Sequence, residues 1–388
     1  MVDIEKLIDG LKDLGIGFFT GVPDSLLNDF CLYLSGKLSK EEHIMAANEG
    51  NAIAIAAGNY LATGNVPVVY MQNSGIGNAT NPLLSLAHPT VYSVPMILVI
   101  GWRGDPSVSD HAQHKRQGEL TTVLMQDMNI PFRILDEDDS VLSNFAWAKE
   151  KACQLSSPVA LIVKKGILAA KVKRQKYLES DLLNREEAIE IIVSHYKDKA
   201  IYLATTGRAT RELHEQLLIQ GVPCGHEFLN VGSMGHVTSV ALGLATGNTQ
   251  GLPIVCFDGD SACIMHMGSM ATIGRYQPSH LLHIVLNNGV NESVGGQPSA
   301  AQMVKLTDIA KACGYFTVGK QVETKEEILD SLRLFENEAK PCFLDIHVRQ
   351  GIRSDMPKLA IDHKRQIQEF RNIFKRTLSS LIDYERDR

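Results

Sequence analysis

The sequence predicts an α/β protein built from two doubly wound parallel-sheet domains. Apolar runs such as residues 94–100, 159–163 and 252–257 alternate along the chain with segments of helical periodicity, the pattern of buried parallel strands separated by covering helices. Several of these runs end in polar, glycine-bearing turns, at the strand ends where open sheets collect ligands. The length, 388 residues, exceeds one average domain.

Composition narrows the function classes. Hydrophobic residues make up 44% and charged residues 21%, a profile of large cores in a globular protein. The net charge of −6 argues against a partner recognised by phosphate neutralisation, so no nucleic acid is expected. Seven cysteines with no C-x-x-C pair predict reduced thiols and a cytoplasmic location. No apolar run approaches the roughly 18 residues of a membrane span, so no membrane partner is expected either. The N-terminus lacks the basic start and apolar core of a signal peptide.

Taken in order, residues 3–14 form an amphipathic helix with Asp3 as N-cap. A strand over 16–20 leads into Gly21-Val22-Pro23-Asp24-Ser25, and a helix begins near Leu26. Asp24 is either that helix's cap or a site carboxylate. Glu49 opens the alanine-rich helix over 52–62, where a dry neighbourhood makes a carboxylate hard to solvate. A strand over 66–71 runs into the turn Gln72-Asn73-Ser74-Gly75, and Asn81-Pro82 opens another helix. After the strand at 94–100, residues 101–118 read as one polar loop carrying Arg103, His111, His114, Lys115 and Arg116. These cations suit an anionic substrate. A zinc site at the two histidines lacks a third ligand nearby, and a plain solvated loop is the other alternative. Strands at 133–135 and 159–163 flank a helix near 143–154.

Domains are expected at residues 1–165 and 185–388, joined by a basic linker over 166–184. The second opens with a helix through His195 and a strand at 200–204. Gly232-Ser233-Met234-Gly235 precedes a small-residue helix over 240–246, and Met234 in such a turn is otherwise a core filler. Then comes the most informative stretch. A strand ends in Asp258-Gly259-Asp260-Ser261, and a second strand over 281–286 ends in Asn287-Asn288. A carboxylate and an amide delivered to adjacent strand ends are hard oxygen donors suited to Mg²⁺; ordinary turn chemistry is the competing reading. Strands near 316–318 and 342–348 and a charged helix over 359–388 complete the chain.

The Gly-Asp…Asn-Asn spacing resembles the diphosphate-binding signature of thiamine diphosphate enzymes, with Ser261 in place of the usual third glycine. Glu49 and the Gln-Asn-Ser-Gly turn, in the same order along the chain, resemble the family's pyrimidine-binding domain. The resemblance implies a pyrimidine-binding domain followed by a diphosphate-binding domain, with no middle domain. It implies thiamine diphosphate and Mg²⁺ as cofactors. Glu49 would meet the aminopyrimidine. Asn73, Ser74, Gly232, Ser233, Met234, Gly259, Asp260, Ser261 and Asn288 would contact the cofactor, with Met234 as its bending wedge. Asp260, Asn288 and the Val290 carbonyl would bind the metal. Glu292 does not match the spacing of the family's catalytic glutamate, and its glycine-rich segment reads as a mobile cover.

The Ala-Asn-Glu-Gly, Gly-Val-Pro-Asp-Ser and Gly-Trp-Arg-Gly segments are most similar to the branch that decarboxylates 3-phosphonopyruvate to phosphonoacetaldehyde in phosphonate biosynthesis. The sulfopyruvate branch is close. A carboligase of the acetolactate synthase type and a non-catalytic cofactor-binding subunit are further alternatives. On this reading Asp24, His111 and His114 handle protons, while Ser25, Arg103, Lys115 and Arg116 meet the anionic group of a small 2-keto acid. The family also implies a homo-oligomer, at least a dimer, with the active site at the subunit interface.

Overall fold

The computed structural model describes residues 2–137, 140–170, 180–248, 251–357, 359 and 361–386, with side chains as far as residue 374. The chain divides into two compact units: Met1–Gln175 with Asn291–Pro298, and Lys176–Val290 with Ser299–Arg388. The middle of the expected linker, residues 171–179, lies outside the described residues; Ile167 and Leu168 before it are buried in the first unit's core.

In the first unit β1 (Phe19–Gly21), β2 (His43–Met45), β3 (Val68–Gln72), β4 (Met96–Gly101), β5 (Phe132–Leu135) and β6 (Pro158–Val163) form one sheet. Their order is β2-β1-β3-β4-β6-β5, and all pairs are parallel. The chain leaves β1 for β2 on one side and returns to β3 on the other. That reversal is the switch point at which doubly wound sheets open a crevice. Strand β4 shows why its run is apolar throughout. Ile97 and Val99 face one core with Phe30, Leu34 and Phe145, while Met96, Leu98 and Ile100 face another with Ala52, Ile53 and Ala56. Side chains alternate between faces and helices cover both, so each large one contributes about 1.5–3 kcal/mol.

The helices of this unit are α1 (Ile4–Asp13), α2 (Asn28–Lys37), α3 (Glu49–Thr63), α4 (Ile76–Pro82), α5 (Ala112–Asp127) and α6 (Val141–Leu155). Asp3 caps α1 by accepting from the Lys6 amide, as expected. Three expectations are corrected. Strand β1 starts at Phe19 and not at 16, because parallel pairing to β2 and β3 begins there. Asn81-Pro82 ends a helix that starts at Ile76 and does not open one; Pro82 cannot donate to the Asn78 carbonyl, and a π turn, Leu83–Ala87, follows. Residues 112–118 belong to α5, so His114, Lys115 and Arg116 stand on a helix. Its buried face is Gly118, Thr121 and Met125, too small and polar to show a helical apolar stripe.

The second unit repeats the architecture with β7 (Ile201–Ala204), β8 (Glu227–Leu229), β9 (Ile254–Gly259) and β10 (Leu281–Asn287). Strands β13 (Phe316–Thr317) and β14 (Cys342–His347) complete it. The two-residue pair β11 (Val290–Asn291) and β12 (Gln297–Pro298), between β10 and β13 in the chain, is a separate sheet that lies, all but Val290, in the segment grouped with the first unit. The main sheet runs β13-β14-β10-β9-β7-β8, all parallel. Edge strand β8 was not expected, since three residues carry no alternation. The covering helices include α7 (Arg185–Tyr196), α8 (Arg208–Ile219), α9 (Val237–Gly247), α10 (Asp260–Met265) and α11 (Gly268–Tyr276). After them come α12 (Leu306–Ala312), α13 (Lys325–Phe335) and α14 (His363–Arg386), whose Phe370 is buried in the second unit's core. No helix among the described residues is long and apolar enough to cross a membrane.

Arg185 of α7 and Glu212 of α8 form a buried bidentate ion pair, with Nη2 to Oε1 at 2.8 Å. Removing one partner strands the other charge in the core. Glu212→Ala is therefore expected to lower the urea unfolding free energy by about 3–5 kcal/mol, and the double change Arg185→Met with Glu212→Leu by much less.

Candidate active site

The first unit's strand ends converge on one polar group. Asp24, three residues after the end of β1, is 1% exposed, and neither carboxylate oxygen has a hydrogen-bond partner. Gly101, the last residue of β4, makes room for it: an added Cβ there would lie 1.9 Å from Asp24 Oδ2. Burial pushes the Asp24 carboxyl up to about 6. The amides of Leu26, Ser25 and Leu27 and the Arg103 charge oppose that rise, the amides without aligned hydrogen bonds. Asp24 does not cap α2, whose N-cap position is occupied by Leu27.

The folded-state rise carries a stability consequence with a definite sign. The burial penalty is absent below about pH 4, where the carboxyl is neutral in both states, grows between pH 4 and 6, and is complete above about 6. The roughly two-unit gap is worth about 3 kcal/mol. Asp24→Asn is expected to unfold at a higher urea concentration than the parent at pH 8 and at an equal one near pH 4.

Arg103 follows β4 and is the best-anchored cation. Its Nε and Nη2 donate to Asp110 Oδ2 and Oδ1 at 2.7 and 2.6 Å, and Nη1 donates to Ser25 Oγ at 2.9 Å. Three of its five N–H groups are thereby committed. Ser25 and Arg103, both expected to face an anionic group, hydrogen-bond to each other. Asn73 was expected to touch cofactor. Both of its amide hydrogens go to the Arg103 carbonyl and Thr121 Oγ1, at 2.7 and 2.9 Å, and its oxygen accepts from the Arg103 amide. Asn73 therefore braces loops, and Ser74 Oγ accepts from Gln72. Asp110 and Thr121, both missed in the sequence, are the partners that explain this arrangement.

His111 is exposed at the N-cap position of α5. His114, one turn on, is half-buried with Nδ1 unpartnered, and burial together with the Arg103 charge pulls its ring down to about 4. Their ring centroids are 6.5 Å apart. Lys115 is exposed, and Arg116 is exposed and paired with Glu119 at 2.9 Å.

Glu49 is the first residue of α3, just after Asn48, whose side chain caps the helix by accepting from the Asn51 amide at 2.9 Å. It is 6% exposed, and its Oε2 accepts from Asn78 Nδ2 at 2.7 Å. A Cβ at Gly75 would fall 2.4 Å from Oε1, so that glycine leaves one face of the carboxylate clear of side chain. Asn78 and Gly75 lie in the turn that the sequence singled out, yet their pairing with Glu49 appears only in three dimensions. The segment 291–298, expected as a mobile cover, is packed: Glu292 and Gln297 are buried, and Asn291 Nδ2 reaches Met45 Sδ at 3.6 Å.

In the second unit Asp260 starts α10 at the end of β9 and is 4% exposed. Burial pushes its carboxyl up to about 6 against the Ser261 amide and Ser299 hydroxyl, and Asp345 and Asp258 add to the rise. Oδ2 has no partner, nor does Ser261 Oγ. A buried, unpartnered carboxylate oxygen suits a small hard cation, which restores the charged form. Asn288 Oδ1 accepts from the Val290 amide at 3.1 Å, fixing the turn that displays the Val290 backbone. Its neighbour Asn287 is structural, reaching Asp345 Oδ1 at 3.2 Å. Gly232, Ser233 and Met234 form the turn before α9, with Ser233 at φ 48° and Met234 half-buried. Behind it the His236 and His266 rings stand 4.2 Å apart. Asp258, Cys263 and His283, also missed, form a wholly buried group whose ligand atoms lie within 4.8 Å of one another.

Comparison with known proteins places the chain in a family. Residues 4–125 match the family "Thiamine pyrophosphate enzyme, N-terminal TPP binding domain", and residues 206–346 match its "C-terminal TPP binding domain". The chain is 31% identical to a phosphonopyruvate decarboxylase of Streptomyces hygroscopicus over 340 residues, covering 82% of this chain and 80% of the relative. It is 29% identical over 373 residues to one from Streptomyces viridochromogenes, covering 90% and 89%. A sulfopyruvate decarboxylase of Methanosarcina acetivorans is 25% identical over 386 residues, covering 95% and 96%.

Proposed function

The chain belongs to the thiamine diphosphate-dependent decarboxylases, and we propose that it is a Mg²⁺-dependent enzyme converting 3-phosphonopyruvate to phosphonoacetaldehyde and CO₂. The observation that carries the substrate is the 31% identity to a phosphonopyruvate decarboxylase across four-fifths of both chains. The sulfopyruvate reading is supported by a relative that spans nearly the whole chain at lower identity.

When bound, thiamine diphosphate supplies the electron sink that a 2-keto acid lacks as CO₂ departs. The chain's own residues do the rest. Asp260, Asn288 and the Val290 carbonyl would hold Mg²⁺ against the diphosphate, with Gly259, Ser261, Gly232 and Ser233 lining that end and Met234 wedged beneath the ring system. Glu49, oriented by Asn78, holds a proton or yields it at the aminopyrimidine end. Asp24 is poised near neutrality and His114 is neutral at working pH, so one can donate and the other accept, with exposed His111 alongside. Lys115 offers cationic charge for the phosphonate, with Arg116, paired with Glu119 at 2.9 Å, beside it. Two copies of the chain would complete each site.

The deciding experiment compares CO₂ release from phosphonopyruvate, sulfopyruvate and pyruvate, using purified protein with thiamine diphosphate and Mg²⁺. The highest kcat/KM is expected with phosphonopyruvate. A preference for sulfopyruvate would transfer the assignment to that substrate, and Mg²⁺-independent turnover would remove the metal from the proposal.

A further inference from the structure

We infer that Arg103 and Asp110 act as a positioning pair, a keystone that locks the loops after β1, β3 and β4 together around Asp24. This rests on the decarboxylase reading of the site, but its geometry is independent of which acid is consumed. Asp110 collects four donors: Arg103 Nη2 and the His111 amide on Oδ1, at 2.6 and 2.8 Å, and Arg103 Nε and the Gly104 amide on Oδ2, at 2.7 and 2.9 Å. One carboxylate thus closes its own loop, holds the amide of His111 just before α5 and fixes the guanidinium plane. Arg103 carries the restraint outward. Its side chain holds Ser25 on the β1 loop, and its backbone amide and carbonyl are both clamped by Asn73 on the β3 loop. Trp102 adds a bond from Nε1 to the Gly118 carbonyl at 2.9 Å, tying the same loop to α5.

Ser25 is the immediate neighbour of Asp24, so the brace ends one residue from the buried carboxylate. The charges around Asp24 are few. Gly101 presents only backbone, α2 contributes the fully buried Cys31 thiol, raised by burial, and the β4 loop contributes Arg103. Arg103 also faces His114, alongside Asp110 and His111. With Asp110 in place, the guanidinium is held where it favours ionised Asp24 and disfavours protonated His114. The pair is a positioning element because three of the guanidinium's five N–H groups are committed to protein groups.

The test reads Asp24 directly. The carboxyl titration of Asp24 is followed by infrared difference spectroscopy against Asp24→Asn, in full-length resting protein and in Arg103→Gln, Arg103→Lys and Asp110→Asn. Arg103→Gln is expected to move the Asp24 titration toward higher pH by about one pH unit, and the low-pH limb of the rate profile with it. Arg103→Lys keeps the charge and loses the fork, so the titration should stay near that of the parent while kcat falls by about 100-fold. Asp110→Asn should lower kcat with KM little changed. An Asp24 titration that is unmoved in Arg103→Gln overturns the inference, and so does full kcat in Arg103→Lys, which also serves if Arg103→Gln does not fold. If the parent releases no CO₂ from any 2-keto acid, the decarboxylase reading fails, whereas the titration still reports on the pair.

Discussion

Replacing Glu49 by Gln is expected to cut kcat by about 10²- to 10⁴-fold while leaving thiamine diphosphate affinity nearly unchanged. The amide keeps the shape of the side chain and can still meet Asn78, which donates to Oε2 at 2.7 Å in the parent. What it loses is the ability to take up and release a proton. The structure makes that loss hard to bypass. Glu49 is 6% exposed at the start of a helix of small residues, and Gly75 keeps the facing surface clear. Water therefore has little room to substitute as the proton carrier. Turnover is measured by CO₂ release, and cofactor affinity by calorimetric titration. Near-normal turnover in Glu49→Gln would take this residue out of the chemistry. Loss of cofactor affinity together with turnover would instead make it a binding group.

The same residue shows what the sequence makes legible. Glu49 and Asp260 sit at the junctions of strands and helices, and strand ends are where parallel sheets present function, so pattern singled out both positions, while the role expected of Glu49 came from the family resemblance. The two sheets were equally legible, because β4 and β10 are buried on both faces and read as unbroken apolar runs. Partners are a different matter. Asp110 looks like any loop aspartate, and Thr121 like a polar helix residue; nothing in their spacing links them to Arg103 and Asn73, 7 and 48 residues away. Counting cations likewise does not reveal that Arg103 is tied to Asp110 and Ser25, since charge composition is blind to which carboxylate a guanidinium has already found. Helix α5 was hidden because its buried face is glycine, threonine and methionine. Strand β8 was hidden by its length of three residues.

Asp260→Ala is expected to weaken Mg²⁺-dependent binding of thiamine diphosphate by at least about 100-fold, and the protein's thermal unfolding separates this from a folding defect. In the absence of ligands the buried Asp260 carboxyl is a burden. Its folded-state value, raised to about 6 by burial and by Asp345 and Asp258, means that ionising it at pH 8 costs on the order of 3 kcal/mol. The penalty is absent below about pH 4 and complete above 6, so at pH 8 the cofactor-free variant should unfold at a higher temperature than the cofactor-free parent. Adding Mg²⁺ and thiamine diphosphate reverses the order. The cation meets the unpartnered Oδ2, turns the penalty into a ligand bond, and stabilises the parent by mass action, about 2.7 kcal/mol at 100 times Kd. The variant has no oxygen there and gains little. A crossing of the two unfolding temperatures on ligand addition is the signature of a metal ligand. Parallel shifts in parent and variant would show that the cation binds elsewhere, and that the buried carboxylate is only a cost of the fold.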